Sequence, residues 1–339
     1  MLKGITGKNH YLDRLRRDVR RDWWLYAMLL PGLIYIIIFK YLPMYGVTIA
    51  FKNYSIFKGF EDSPWCGMDN FVKLFARADF RRALENNIII SIEKLIFGFP
   101  TPIILSLMIH EVRHKFTKKG IQTAVILPNF ISWIVINGLL YAMFSTSSGV
   151  IVGVMRSFGL EGPVPNILAD KNSFRAVILI SYLWKSGGFG TIVYLAAIAG
   201  IDQELYEAAQ IDGAGRWRQL WHITLSSLRS TIVVLLIFRV GEMMYAGFDQ
   251  IFAISNYLVV SVADIIDTYV YRLGMESRKF SEATAAGLFQ SAIGLVLVLN
   301  RTISGKCYLY PLIPFDGCKL RSLLLRQPAQ HRYVHKKNG

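Results

Sequence analysis

Cysteine is scarce in this chain. Cys66, Cys307 and Cys318 are the only three in 339 residues. None forms a C-x-x-C pair and none has a histidine at ligand spacing, which excludes a thiol-built zinc site and a redox pair. Charge is also thin. Charged residues make up 18% of the chain, against about 25% in an ordinary soluble domain. A phosphate loop is missing. It needs G-x-x-x-x-G-K-[ST] so that backbone N–H groups cradle phosphates, and the nearest run, Gly4-Ile5-Thr6-Gly7-Lys8-Asn9, has the wrong spacing and ends on the wrong residue. Any ATP-driven work must draw on a separate subunit.

Apolar residues, at 53%, are what the chain has instead, with a mean hydropathy of +0.37. They gather in runs, the mark of a membrane protein. The net charge of +15 raises nucleic acid as a partner. The basic residues, however, sit beside apolar runs, where they act as topology signals, and no nucleic-acid motif accompanies them.

A span takes about 20 mostly apolar residues. Six runs qualify: 23–42, 87–109, 121–144, 175–199, 230–254 and 283–299. The first lacks a small-residue cleavage site and reads as an uncleaved span. Seven basic residues precede it, among them Arg14, Arg16, Arg17, Arg20 and Arg21. Four more (Arg113, Lys115, Lys118, Lys119) fill the 110–120 loop, and eight follow residue 300. Segment 145–174 holds two, Arg156 and Lys171. The bias places both termini in the cytoplasm. Loop 52–86 fits an external excursion, and Cys66 then lies across the membrane from the other two thiols. Loop 200–229 falls inside. The expected layout is a basic N-terminus at 1–22, a six-span domain at 23–299, and an atypical basic tail at 300–339.

The most informative stretch is 207–225, EAAQIDGAGRWRQLWHITL. Asp202 is placed to cap a helix over roughly 203–211. Gly213 breaks it. Trp217, Leu220, Trp221, Leu225 and Leu228 then recur at helical spacing, with Arg216, Arg218, Gln219 and His222 opposite. A helix–turn–helix in a polar interval suits a docking element. The plainer reading is an interfacial helix resting on lipid through its tryptophans.

The run resembles the EAA loop of ABC-importer permeases. Glu207, Ala208 and Ala209 stand at the right distance from Asp212, Gly213 and Ala214, and then from Ile223 and Leu225. The family's closing proline is Ser226 here, which predicts a looser exit. Residues 243–259, 262–275 and 279–299 are similar to the carbohydrate branch, more narrowly to LplB-like permeases of complex-sugar uptake. The resemblance implies an all-α membrane protein of the type I importer class: six transmembrane helices with a cytoplasmic helix–turn–helix coupling loop. It implies a bacterial plasma-membrane location and a substrate that is a sugar or oligosaccharide, moved by alternating access. It implies partners as well: a cytoplasmic ATPase dimer carrying ATP and Mg, a second related permease, and an extracellular solute-binding lipoprotein. The chain itself needs no cofactor, no metal and no catalytic residue. In the family this loop docks into a cleft of the ATPase, so Glu207 is expected to meet a basic residue there.

Charges inside spans usually face protein or water. Glu93, Lys94, Lys185, Arg239, Glu242 and Asp249 are of this kind, and the three-residue spacing of Arg239 and Glu242 allows them to pair. Tyr245, Phe248, Asp249, Gln250 and Asn256 combine rings with hydrogen-bonding groups, which suits a sugar path. Packing or charge neutralisation accounts for the same residues. Gly187, Gly188 and Gly190 read as a helix-packing or hinge site, and Pro31, Pro100, Pro102 and Pro128 as kinks.

Two rival functions come from the residues. His110-Glu111-Val112-Arg113-His114 matches H-E-x-x-H literally, which would make an intramembrane metalloprotease. Nearby Arg113, Lys115, Lys118 and Lys119 oppose Zn²⁺, and a third ligand is needed. An ion-coupled secondary transporter would need deep carboxylates and no EAA-type loop. The tail after Asn300 departs from the permease pattern. It reads as divergent or frameshifted, or as a genuine basic tail for anionic lipid.

Overall fold

The computed structural model describes residues 21–159 and 166–309, with backbone only over 300–309. The basic N-terminus through residue 20 and the tail from 310 onward lie outside the described residues. Helix is the only regular secondary structure among the described residues, which otherwise hold turns, irregular loops and two isolated bridges, Lys52 to Trp65 and Ser55 to Gly59.

The elements track the apolar runs. Helix α1 (Trp23–Phe51) loosens through a π turn at Ile37–Tyr41 and a 3-10 stretch at Leu42–Phe51. Then come α2 (Asp69–Ala76) and α3 (Ala78–His110), which restarts at Pro100. Next are α4 (Lys115–Phe130), α5 (Trp133–Phe144) and α6 (Val150–Ser157). Helix α7 (Lys171–Ala199) is followed by the short α8 (Gln203–Ile211) and by α9 (Arg216–Gly241). The last described elements are α10 (Phe248–Ile254), α11 (Val260–Ala263), α12 (Ile266–Tyr271) and α13 (Phe280–Leu309). Among the described residues five helices are long and apolar enough to cross a membrane, or six if α4 and α5 form one broken span.

Two predicted spans need correction. The third, 121–144, is not one rod but a bent pair. Pro128 sits in a 3-10 turn, and Ser132 starts a new helix by accepting the Val135 N–H at 3.3 Å. Lys185 of α7 donates to the carbonyls of Asn129, at 2.7 Å, and Ile131. These carbonyls are left over where α4 ends, and a cation is favoured at such a terminus.

The fifth span, read as 230–254, ends early at Gly241 and begins further back, at Arg216. The Met244 carbonyl has no helical partner. It accepts Asn87 Nδ2 at 3.1 Å and Gln290 Nε2 at 2.8 Å. Gly247 takes φ +100°, a state that side-chain-bearing residues resist, and α10 starts anew. Helix α13 continues to Leu309, past the end of its apolar stretch at Leu299.

The described chain forms two compact units. One draws on residues up to Ser91, on Ser132–Ile180 and on Met244–Ala292. Its core gathers Ile90, Phe174, Ile178, Ile251, Ile254 and Ile265, with Trp133 packed against it. A second cluster joins Leu74, Phe80, Tyr269 and Ala286. Asn70 holds the loop after α1 by donating to the Ala50 and Lys52 carbonyls at 2.8 and 3.0 Å. Cys66 is a free, half-buried thiol beside it.

The other unit draws on Ile92–Ile131, Ser181–Met243 and the described residues from Ile293. The glycines of α7 let helices close in here. A Cβ on Gly187 or Gly190 would stand 2.9 Å from Thr101 Cγ2 or Pro102 Cβ. The predicted packing role of this stripe is what the structure shows.

Candidate functional site

The 200–229 segment begins as its residues dictate. Asp202 caps α8, its carboxylate accepting the Glu204 N–H at 3.0 Å. The helix ends in a Schellman motif. Gly213, at φ +75°, donates its N–H to Gln210 O at 3.1 Å, and Ala214 donates to Ala209 O at 2.8 Å. Only a residue tolerant of the left-handed region closes both bonds. The spacing of Ala209, Gly213 and Ala214 is therefore the spacing of a helix stop. Gln219 Nε2 ties the Ala214 carbonyl at 2.8 Å, and α9 starts at Arg216.

Glu207, Ala208, Asp212 and Gly213 lie exposed along this corner, with Ala209 and Ala214 half-buried. Beside them stand Leu205, Ile211, Trp217 and Trp221, of which Ile211 is 87% exposed. The apolar face predicted for the second helix divides. Leu228 is fully buried, whereas Trp217 and Trp221 are exposed. A π turn at Leu220–Thr224 adds a residue to one turn and shifts the phase of the helix beyond it. Ser226 stands at the exit of the corner. Its hydroxyl donates to the carbonyls of His222 and Ile223.

Three contacts hold the corner from behind. Arg216 reaches Glu111 at 3.9 Å. The Tyr206 hydroxyl pairs with Thr224 Oγ1 at 2.9 Å. The His110 ring stands 6.3 Å from that of Tyr206. Sequence reasoning misses these props, because they join residues far apart in the chain.

The same residues dispose of the zinc reading. Helix α3 ends at His110, and His114 is an extended cap (φ −75°, ψ 115°) before α4. The two histidines do not share a helical face. Among the described residues no group of three His, Cys, Asp or Glu side chains is arranged to hold a metal.

The five residues proposed for a sugar path divide. Gln250 is buried and donates to Ile178 O at 2.7 Å. Asn256 donates to Leu168 O at 2.8 Å and accepts the Leu258 N–H at 3.0 Å. Both hold the fold. Phe248 stacks on Phe252 at 5.1 Å and meets Tyr271 at 5.7 Å. Tyr245 and Asp249 are exposed. Arg239 and Glu242 pair at 3.5 Å, as their spacing predicts.

Long apolar helices and an exposed corner closed by Gly213 describe a polytopic membrane protein. The chain belongs to the family of binding-protein-dependent transport system inner membrane components, whose model matches residues 98–303. It is a transport subunit, and the secondary-transporter reading gives way.

Among its relatives is protein LplB of Bacillus subtilis strain 168. The two are 46% identical over 85% of this chain and 90% of that protein. The polygalacturonan/rhamnogalacturonan transport system permease YteP of the same organism is 42% identical over 87% of this chain and 91% of its own. The crystal structure of a bacterial ABC transporter that imports the acidic polysaccharide alginate contains a chain 43% identical to this one. It matches with a TM-score of 0.79 over 86% of this chain and 98% of that chain. The alginate transporter is also known in complex with a periplasmic protein bound to an alginate pentasaccharide.

Proposed function

We propose that this chain is the permease subunit of an ATP-driven importer that takes an oligosaccharide from an external binding protein and passes it inward by alternating access. The observation that carries the proposal is the corner at Glu207–Ala214. A rigid turn built on Gly213 exposes two small residues, two carboxylates and a flanking apolar patch. Exposed apolar surface of this kind marks a docking site. The occupant we infer is a cytoplasmic ATPase dimer, which holds ATP and Mg. A second related permease and a solute-binding lipoprotein complete the assembly.

The relatives point to the substrate. Alginate and polygalacturonan both carry carboxylates, so an acidic oligosaccharide is the class proposed for this chain. Tyr245, Phe248 and Asp249 are the better candidates for the path, since Gln250 and Asn256 are engaged in the fold. The layout is a six-span domain at 23–299 with both termini cytoplasmic, in the plasma membrane, flanked by the basic segments 1–22 and 300–339.

The test is growth and uptake in a strain lacking the gene. Deletion is expected to abolish uptake of acidic oligosaccharides, and the wild-type gene to restore it. Uptake that persists in the deletion strain contradicts the proposal.

A further inference from the structure

Three helices of the second unit meet at one ring. Tyr182 of α7 has the Lys94 ammonium of α3 at 4.8 Å from its centroid and the Arg239 guanidinium of α9 at 5.4 Å. Arg239 also donates to the Tyr182 hydroxyl. Lys94 is 5% exposed. Among the described residues Arg239 pairs with the carboxylate of Glu242, at 3.5 Å, just beyond the end of α9.

The burial of that pair is lopsided. The Arg239 side chain is 33% exposed and that of Glu242 is 67% exposed. An ion pair so open to its surroundings holds weakly. A guanidinium in a span does not point its open side at lipid. That side therefore faces water or protein, with a planar fork of donors suited to a carboxylate. Lys94 is held at the same ring.

We propose that Arg239 is a carboxylate-binding residue for the acidic oligosaccharide, with Tyr182 orienting its guanidinium. Glu242 is a placeholder that an incoming sugar carboxylate displaces. The inference rests on the importer reading and adds the side chains that select for acid.

The test is equilibrium binding to the purified importer complex without its binding protein. The probes are a labelled alginate pentasaccharide and the same molecule with its carboxylates reduced to alcohols. The wild type is expected to prefer the acidic form. Arg239→Gln lowers that preference about tenfold, and Arg239→Lys, which keeps the charge but loses the fork, lowers it less. Glu242→Gln shifts it the other way, tightening acidic binding by about threefold, because the competing carboxylate is gone. A purely structural ion pair predicts loss in both variants.

Equal binding of the two probes by the wild type, or binding of neither, overturns the proposal. So does weaker acidic binding in Glu242→Gln, which reads the proposal even if Arg239→Gln fails to fold. Uptake by the wild-type importer is measured beside it. Uptake without a carboxylate preference sinks this inference and leaves the importer reading standing, whereas no oligosaccharide uptake sinks the importer reading itself.

Discussion

Gly188 of α7 lies against Val125 of α4 so closely that a Cβ on Gly188 would land on the Val125 carbonyl oxygen. Backbone meets backbone here, and neither side can yield as a flexible side chain would. Gly188→Ala is expected to lower stability by about 1–3 kcal/mol, the usual cost of overpacking. Gly120→Ala in α4, with open space around its Cβ and a helical backbone, makes the contrast. Thermal unfolding of the two variants in detergent checks the order, which reverses if helix contact at Gly188 is unimportant.

Lys185 closes the end of α4 by donating to two carbonyls. Lys185→Met keeps the apolar stem and removes both donors. A hydrogen bond from a charged donor contributes about 1.5–3 kcal/mol. The variant is expected to lose midpoint temperature and to become cleavable by protease around residues 129–132. Unchanged cleavage would show that the break in the third span is held by other means.

Asp267 carries a pH dependence of known sign. Burial pushes its carboxyl above the ordinary range, partly opposed by the hydrogen bond from Gln290, whose Nε2 stands 2.9 Å from Asp267 Oδ1. The folded state then holds this proton more tightly than the unfolded state does. Stability from this group is fullest below the unfolded value and falls as pH rises toward the raised folded one. Asp267→Asn keeps an acceptor for Gln290 and removes the titration. It is expected to match the wild type at low pH and exceed it near neutrality. Parallel stability curves for the two proteins across that range would refute the assignment.

Gly213 takes φ +75°. A residue with a Cβ pays about 1–2 kcal/mol there, and proline, fixed near φ −65°, is excluded. Gly213→Pro is expected to leave the spans in place and abolish stimulation of the ATPase by the loaded binding protein. Gly213→Ala is expected to weaken it. Full stimulation in Gly213→Pro would remove the corner from the coupling route.

Local signals make much of this legible in the sequence. Asp202 and Gly213 announce a helix start and stop within a few residues of themselves, and apolar runs announce spans. The features that stay hidden depend on distant partners. The Met244 carbonyl ends the fifth span because Asn87 and Gln290 supply its donors, and neither is near it in sequence. The break after Phe130 is held by Lys185, more than fifty positions away. The π turn at Leu220–Thr224 carries no glycine or proline to mark it, so spacing alone puts Trp217 and Trp221 on the buried face. Tyr182 reads as an ordinary aromatic in a span, and only its place between Lys94 and Arg239 distinguishes it.

We propose that a separate ATPase docked at Glu207–Ala214 drives this membrane subunit. Co-purification of the tagged chain from solubilised native membranes, wild type beside Glu207→Arg, tests it most directly. The wild type is expected to bring down an ATPase and a second permease, and Glu207→Arg to lose the ATPase while keeping the second permease. An ATPase retained in full by Glu207→Arg, or absent from the wild type, would contradict it.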